Sequence, residues 1–302
     1  MRCVVRRSNV CLDGLDVELV SAPLTDPDAL TPLVEGCDGV FHLAGTFDPG
    51  PGGEASMRSL HVDATQALLE ASRRAGVARF VYCSSSITIG YGPAHAPGDE
   101  DTPIDADAVY GTIGPLRSYH DTKLAGERAT AEAGGIIVNP DFVLGPWDIK
   151  PTSGALLLTL ARHHVPVYPR GGKTFIDAGD CALGHLYAME RGQPGRRYLL
   201  GTHNLSYQAF MRACARVIGR RGPWLPLPNV AVHAAGAAGA LLQRRDPHRY
   251  AGLDRHLLLA MQQDRYRSGR RAQGELGVPR TPIEASIRAA LDWFTTHGYL
   301  TR

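Results

Sequence analysis

Short apolar segments alternate with helix-forming segments through the first half of the chain. Residues 2–5, 17–20, 39–44 and 136–140 have the length and apolar content of buried strands, and residues 79–90 have the pattern of a buried strand that ends in hydroxyls. Between them, residues 25–35, 55–75 and 119–133 show helical spacing or helix start and stop signals. Strands that alternate with helices form parallel βαβ units with right-handed crossovers. The pattern predicts a doubly wound α/β fold, in which ligands bind at the carboxyl ends of the parallel strands.

The composition argues against several classes of protein. The 302 residues include 32 Lys+Arg and 30 Asp+Glu, a formal net charge of +2 that indicates neither a nucleic-acid nor a membrane partner. Six cysteines are scattered without a C-x-x-C pair, so we expect no disulfides, no metal site and a reducing, cytoplasmic location. We expect no signal peptide after Met1. The most apolar stretch, 230–242, is shorter than the ~20 residues that span a bilayer and predicts a buried helix.

One pair of residues carries a chemical signal. Tyr119 and Lys123 are four residues apart, which on a helix places both side chains on one face. An ammonium group beside a phenol lowers a pKa that is otherwise about 10, so that the tyrosine can exchange a proton with a carbonyl or hydroxyl oxygen. Ser85 lies among the hydroxyls at the end of the strand at 79–90 and could bind the same oxygen. The spacing alone is common by chance, but the order of the surrounding elements favours the catalytic interpretation.

Several further motifs, taken in order, resemble one family. They are Leu24-Thr25-Asp26, Phe41-His42-Leu43-Ala44, Val62-Asp63-Ala64-Thr65, Arg79-Phe80-Val81-Tyr82-Cys83-Ser84-Ser85, Tyr119-His120-Asp121-Thr122-Lys123, Asn139-Pro140-Asp141-Phe142-Val143-Leu144-Gly145-Pro146 and Glu275-Leu276-Gly277. Over nearly its whole length the chain resembles the extended short-chain dehydrogenases/reductases of the NAD-dependent epimerase/dehydratase group. Asp148-Ile149-Lys150-Pro151-Thr152 looks like the branch that contains dihydroflavonol-reductase-like proteins and hopanoid-associated sugar epimerases.

The resemblance implies a domain organisation and a kind of partner. A Rossmann-like, doubly wound dinucleotide-binding domain would comprise residues 1–143 and about 174–200. A smaller C-terminal α/β substrate domain would comprise residues 144–173 and 201–302. The partner would be a small-molecule substrate, and a homodimer fits the family.

The resemblance also implies roles for individual residues. Tyr119 would be the general acid/base, Lys123 the partner that tunes its pKa and a ligand of the cofactor ribose, and Ser85 the ligand of the carbonyl oxygen. Ser86 would replace Ser85 if the register were shifted by one residue. The cofactor would be lined by His42, Leu43 and Ala44, with Pro140 near the nicotinamide. Arg6 would hold an adenosine 2′-phosphate, which points to NADP(H) rather than NAD(H), although a solvated surface arginine is an equally common role.

The sequence departs from the family at its start. The family opens with a strand and a Gly-x-x-Gly-x-x-Gly turn that holds the pyrophosphate, and no such turn precedes Arg6. That first strand lies mid-sheet in the family, between the strands that end at Arg6 and Ala44. We expect either that the reading frame extends upstream, or that residues 2–5 pair directly with residues 40–44. Ala22-Pro23 also stands where the family commonly has a Gly-Asp that touches adenine.

Three functions remain open at this point. The leading prediction is an NADP(H)-dependent oxidoreductase that reduces a ketone or aldehyde of a small molecule, with Tyr119 as the acid. One alternative is a sugar-nucleotide epimerase or dehydratase with bound NAD(P). The other is a cofactor-free cyclase-type or binding protein, which would fit a sheet that truly lacks its first strand. Candidates to line the substrate pocket are Arg170, Lys173, Asp177, His185 and Tyr187, for each of which packing or solvation is the more common role.

Overall fold

A four-stranded parallel sheet forms the centre of the computed structural model, which describes residues 1–6, 10–246, 248 and 253–300. Its strand order is β3 (Gly39–His42), β4 (Arg79–Cys83), β5 (Ile136–Pro140) and β9 (Arg197–Leu200), all parallel. Phe80 and Tyr82 of β4 face one hydrophobic cluster, and Val81 faces another. The sheet is therefore covered on both faces, and the predicted doubly wound α/β fold is confirmed.

Helices from both sequence halves cover this sheet. On one side lie α1 (Pro27–Val34), α2 (Gly53–Arg58), α3 (Ala64–Arg74) and α5 (Pro115–Glu132); on the other lies α7 (Ala178–Arg191). The start signal predicted for α1 is confirmed, because the Asp26 carboxylate accepts the backbone N–H groups of Asp28 and Ala29. Helix α5 begins with Pro115 at its first position, where a missing N–H costs nothing.

Two further strands form a sheet of their own. β1 (Arg2–Val4) pairs in parallel with β2 (Glu18–Val20), and neither strand pairs with the four-stranded sheet. Within the described residues, β3 hydrogen-bonds to β4 alone. The alternative in which residues 2–5 pair directly with residues 40–44 is therefore wrong. Helix α1 packs on α3, and Leu30 and Val34 of α1 share a cluster with Phe80.

The second half of the chain builds another layer. β8 (Gly172–Asp177) lies between β10 (His203–Ser206) and β12 (Asp264–Arg265), and β6 (Phe142–Leu144) pairs with β8 in parallel. Around this sheet pack α6 (Gly154–Arg162), α8 (Tyr207–Ile218) and α11 (Ile283–Thr296). The remaining elements are the paired strands β7 (Val167–Tyr168) and β11 (Leu225–Pro226) and the helices α4 (Ala106–Tyr110), α9 (Asn229–Gln243) and α10 (Arg255–Ala260). The proposed domain boundaries stay a prediction.

Two local expectations need correction, and one helix lies outside the predicted ones. That helix is α4, which Asp105 caps by accepting the N–H of Ala108 at 3.0 Å. The single helix predicted over 55–75 is interrupted by a π-helical turn, Ser59–Asp63. Helix α9 is largely exposed rather than buried, because its alanines and glycines leave Val230 and Leu241 facing solvent. No helix in the described part of the chain is long and apolar enough to cross a membrane.

Candidate active site

Ser85 lies at the carboxyl end of β4, as the sequence predicts. Its extended backbone starts a short 3-10 turn, and its hydroxyl accepts the N–H of Ile87 at 3.3 Å. Asn139, at the end of the neighbouring strand β5, donates to the Ser85 carbonyl at 3.1 Å. The ends of two parallel strands thus fix the position of this serine.

Tyr119 projects from the first turns of α5 towards the same strand end. Its ring lies edge-on between Phe47, at a centroid distance of 5.6 Å, and His61, at 5.5 Å. Burial raises the pKa of Tyr119 to about 12, and the nearby Ser85 hydroxyl opposes that rise only in part.

Lys123 lies one turn further along α5. Its ammonium donates to the Cys83 carbonyl at 2.9 Å. Burial lowers the pKa of Lys123 itself. Its predicted effect on the pKa of the Tyr119 phenol stays a prediction. A Cβ on Gly45 would lie 3.0 Å from the Lys123 nitrogen, so the loop after β3 approaches the amine closely.

His61 is a site residue that the sequence analysis missed. It sits on the π-helical turn, where the extra residue rotates it inwards, and it is fully buried. Its Nε2 accepts the Thr46 N–H at 3.1 Å, so Nδ1 carries the proton and donates to the Thr122 hydroxyl at 2.9 Å. Burial, with the charge of Lys123, lowers the pKa of His61 to about 3. The neutral imidazole therefore joins the loop after β3 to α5, beside Tyr119.

The buried carboxylate of Glu127 stabilises the carboxyl end of β4, which Ser84 and Ser85 follow. Glu127 accepts hydrogen bonds from the Ser84 hydroxyl at 2.5 Å, the Thr88 hydroxyl at 2.6 Å and the Asn139 amide at 2.6 Å. Its second oxygen lies 3.2 Å from the Arg197 guanidinium. This network joins α5 to β4, β5 and β9, and so fixes the distance between Tyr119 and Ser85.

The predicted cofactor residues occupy different environments. His42 is buried against Tyr82, and burial with the charge of Lys123 lowers its pKa to about 4. Leu43 is exposed, and Ala44 is half-buried in the loop that leads to Gly45. Pro140 ends β5, and Arg6 is exposed just after β1. Their roles towards a cofactor stay predictions.

The described residues fit the nicotinamide riboside half of a dinucleotide. Lys123 uses one ammonium hydrogen on Cys83, which leaves two donors for ribose hydroxyls. The Nε2 of His42 is buried and has no hydrogen-bond partner in the described part of the structure. The pyrophosphate half finds no such fit, since Asp26 already occupies the free N–H groups of α1 with a negative charge. The roles of Lys123 and His42 towards a cofactor stay predictions.

A cavity of about 950 Å³ opens beside Ser85 and Tyr119. Its apolar lining includes Phe47, Ile87, Leu116, Phe142 and Leu257, and its polar lining includes Tyr110, Lys173, Arg244, Asp254, Arg265 and Arg267. Of the five residues named as candidate liners from sequence, Lys173 alone is among the lining residues within the described ranges. The same part of the chain contains no cluster of three or more His, Cys, Asp or Glu residues that could hold a metal ion.

Comparisons with known proteins agree with this geometry. Residues 2–201 match the model of the NAD-dependent epimerase/dehydratase family. A protein of Synechocystis sp., provisionally named dihydroflavonol 4-reductase, is 31% identical over 316 aligned positions, covering 99% of this chain and 89% of its own. Sterol demethylase protein B of Methylococcus capsulatus is 27% identical over 306 positions, covering 99% and 92%. The structure of a nucleoside-diphosphate-sugar epimerase from Pseudomonas aeruginosa matches with a TM-score of 0.77 and 26% identity, covering 99% and 90%.

Proposed function

Since the chain belongs to the NAD-dependent epimerase/dehydratase family, an NAD(P)-dependent enzyme family, we propose that it is an NADP(H)-dependent reductase of a small ketone or aldehyde. The observation that carries the proposal is that Ser85 and Tyr119 line the same cavity. Two hydroxyls at this point can bind one carbonyl oxygen from two sides. The similarity to the Synechocystis protein supports a reductase.

The chain's own residues would orient and protonate the substrate. The Ser85 and Tyr119 hydroxyls donate to the carbonyl oxygen and hold the carbonyl carbon facing the nicotinamide. When bound, the reduced nicotinamide supplies a hydride to that carbon. Tyr119 then gives its proton to the oxygen as negative charge develops there, and the carbonyl becomes an alcohol. With a pKa of about 12, Tyr119 holds its proton at neutral pH until negative charge develops on the carbonyl oxygen.

Two residues have secondary roles in this proposal. Lys123 stays charged one helical turn from the phenol and would favour the tyrosinate that remains after proton transfer. Neutral His61 holds the Tyr119 ring and the loop at Thr46 in place. The six free cysteines support a reducing, cytoplasmic location as part of the same proposal.

A direct experiment follows NADPH absorbance with the full-length protein and a panel of aldehydes and ketones. We expect oxidation of NADPH that depends on the carbonyl compound. Calorimetry with NADPH runs beside it, so that a missing substrate is distinguished from a missing cofactor. Binding of NADPH without turnover of any carbonyl would count against the reductase.

The similarity to the Pseudomonas aeruginosa structure favours a second candidate, a sugar-nucleotide epimerase or dehydratase. Such an enzyme oxidises and re-reduces its substrate at the same tyrosine. It would purify with bound cofactor and convert a nucleoside-diphosphate sugar without net change in NADPH absorbance. Product analysis by chromatography separates it from the reductase.

Arg6 is the residue on which the choice of NADP(H) rests. We expect Arg6→Glu to lower the ratio of kcat/KM for NADPH to that for NADH at least ~10-fold, because a carboxylate repels the 2′-phosphate and accepts the 2′-hydroxyl. The matched control is Arg128→Glu, which makes the same charge change at an exposed position of α5. An unchanged ratio in Arg6→Glu would remove the basis for NADP(H).

A further inference from the structure

Three cationic side chains form one wall of the cavity, here called the basic wall: Lys173, Arg265 and Arg267. Their positions follow from strand register. Arg265 of β12 lies directly opposite Lys173 of β8 in the parallel pair, so the two side chains share a face of the sheet. Arg267 follows two residues later and also lines the cavity.

The basic wall carries more charge than its surroundings neutralise. In the part of the chain that the structure describes, its ion pairs are made with Asp141 alone: Arg267 at 2.9 Å and Lys173 at 3.4 Å. Arg267 is fully buried and also donates to the Ile89 and Gly90 carbonyls, so it is committed to the fold. Arg265 has no ion-pair partner within the same ranges. Three cations thus face one carboxylate, which is costly at a partly dehydrated surface unless another anion arrives.

Arg265 is also held in place as a ligand-binding side chain would be. Its guanidinium stacks over Tyr91, 4.7 Å from the ring centroid, and donates to the Tyr110 hydroxyl at 3.2 Å. Its Nε is buried and has no acceptor among the described residues. A rigid guanidinium with an unused donor loses little entropy on binding, which favours a planar or tetrahedral oxyanion.

The basic wall lies close to the reacting groups. Ser85, Ser86 and Tyr119 line the same cavity as the basic wall. The acid in the cavity lining, Asp254, is engaged elsewhere, since it accepts the Leu257 N–H as the cap of α10. Much of the remaining lining is apolar. A substrate with an acidic group near its reacting carbonyl and an otherwise apolar body would match these surfaces.

We propose that Lys173 and Arg265 bind an oxyanion of the substrate, a carboxylate or a phosphate ester carried near the carbonyl that Ser85 and Tyr119 hold. This inference rests on the proposed function only in treating the bound anion as part of a substrate. Binding of the anion itself requires neither cofactor nor turnover. It narrows the substrates from carbonyl compounds in general to acidic ones.

Calorimetry of the full-length protein with three small probes tests the site without cofactor. Benzoate and phenyl phosphate carry the two candidate oxyanions on an apolar ring, and benzamide is the neutral match. We expect one or both anions to bind at least ~10-fold more tightly than benzamide, as charge-assisted hydrogen bonds predict. The anion that binds more tightly identifies the oxyanion of the substrate as a carboxylate or a phosphate ester.

Variants locate that binding. Arg265→Gln should weaken binding of the anion at least ~10-fold and leave benzamide unaffected, whereas Arg265→Lys should retain part of the preference. Arg270→Gln, which removes an exposed charge outside the cavity lining, should match the unmodified protein. Thermal unfolding checks that each variant folds. Equal binding of the anion and the amide by the unmodified protein would overturn the proposal. Full anion binding by folded Arg265→Gln and Lys173→Met variants would overturn it as well.

Turnover gives a second measurement once a carbonyl substrate is found. Keto acids and their methyl esters are compared by kcat/KM, and we expect the free acid to be preferred at least ~10-fold only while Arg265 is present. Equal rates for acid and ester would overturn the oxyanion site while leaving the reductase intact. Absence of turnover with every carbonyl, together with selective anion binding, would overturn the reductase and leave the site intact.

Discussion

Tyr119 is a half-buried residue that lines the cavity, and desolvation of its phenol raises its pKa to about 12. Tyr119→Phe removes the proton donor and leaves the ring contacts with Phe47 and His61. We expect kcat/KM to fall at least ~100-fold, the usual contribution of general acid catalysis. Circular dichroism and thermal unfolding should show a folded protein. Tyr187→Phe, on α7, serves as the matched control, and equal activity of the two variants would exclude Tyr119 as the acid.

Two buried histidines make stability depend on pH on the acid side. The pKa of His61 is lowered to about 3 and that of His42 to about 4, against about 6.5 in the unfolded chain. The unfolded state therefore takes up these protons first as pH falls, so the stability present above about pH 6.5 is lost progressively towards pH 3–4. The loss is up to about 1.4 kcal/mol per pH unit for each histidine.

Urea unfolding at several pH values between 7 and 4.5 measures how steeply the free energy of unfolding falls with pH. We expect His61→Gln, which cannot titrate, to be less stable at pH 7 but to lose less stability on acidification. His95→Gln changes an exposed histidine and should keep the original slope. A His61→Gln variant as steep as the unmodified protein would contradict the assignment of a neutral, buried imidazole.

At the level of single residues, the sequence was informative only where chemistry has a local pattern. Ser85, Tyr119 and Lys123 could be found because a strand end and an i, i+4 spacing are visible in one dimension. His61 could not, since its inward orientation depends on a π-helical turn that has no spacing signature. Arg265 could not either, because its register partner Lys173 lies far away along the chain.

Helix α5 shows what a single element contributes beyond its catalytic face. Glu127 is buried and accepts from Ser84, Thr88 and Asn139 while pairing with Arg197. Glu127→Ala would leave the partly exposed Arg197 cation and three donors without their acceptor. We expect the free energy of unfolding to fall by about 3–5 kcal/mol, because each buried donor left unsatisfied costs about 1–3 kcal/mol.

Chemical denaturation compares this variant with Glu132→Ala, an exposed position on the same helix. The control should change stability by less than about 0.5 kcal/mol. If the two variants lost similar amounts, the network would be dispensable for stability.

At the element scale the sequence predicted the end of α5 to within a residue, because its spacing and stop signal are local, but it missed the first four residues of the helix. The hydrogen-bond network around Glu127 could not be predicted from the sequence, because its acceptors and donors come from four different elements.

The whole molecule consists of sheets joined by side-chain packing rather than by one continuous ladder. The alternation of strands and helices predicted the parallel sheet of β3, β4, β5 and β9. It did not predict the cavity, whose walls come from distant segments: Arg265 reaches Tyr110 across 155 positions, and Arg267 reaches Asp141 across 126. Contacts of this kind depend on how layers pack, which no local pattern records.

The separation of β1 and β2 from the main sheet has a consequence for local stability. Each strand has three residues and pairs only with the other within the described chain, and two-stranded sheets are marginal in water. By contrast, β4 hydrogen-bonds on both sides and its Val81 and Tyr82 are fully buried. Amide hydrogens of β1 and β2 should therefore open by local fluctuation, whereas those of β4 should exchange only through larger unfolding.

We expect hydrogen–deuterium exchange in Arg2–Val4 and Glu18–Val20 to be at least about 100-fold faster than in Arg79–Cys83, because the two units open with different free energies. β9 is the matched control: it is also an edge strand, but Tyr198, Leu199 and Leu200 are fully buried and it pairs with β5. It should exchange slowly, like β4. If β1 and β2 exchanged as slowly as β4, the two sheets would unfold as one cooperative unit, and packing through α1 and α3 would have to supply the coupling that hydrogen bonds do not.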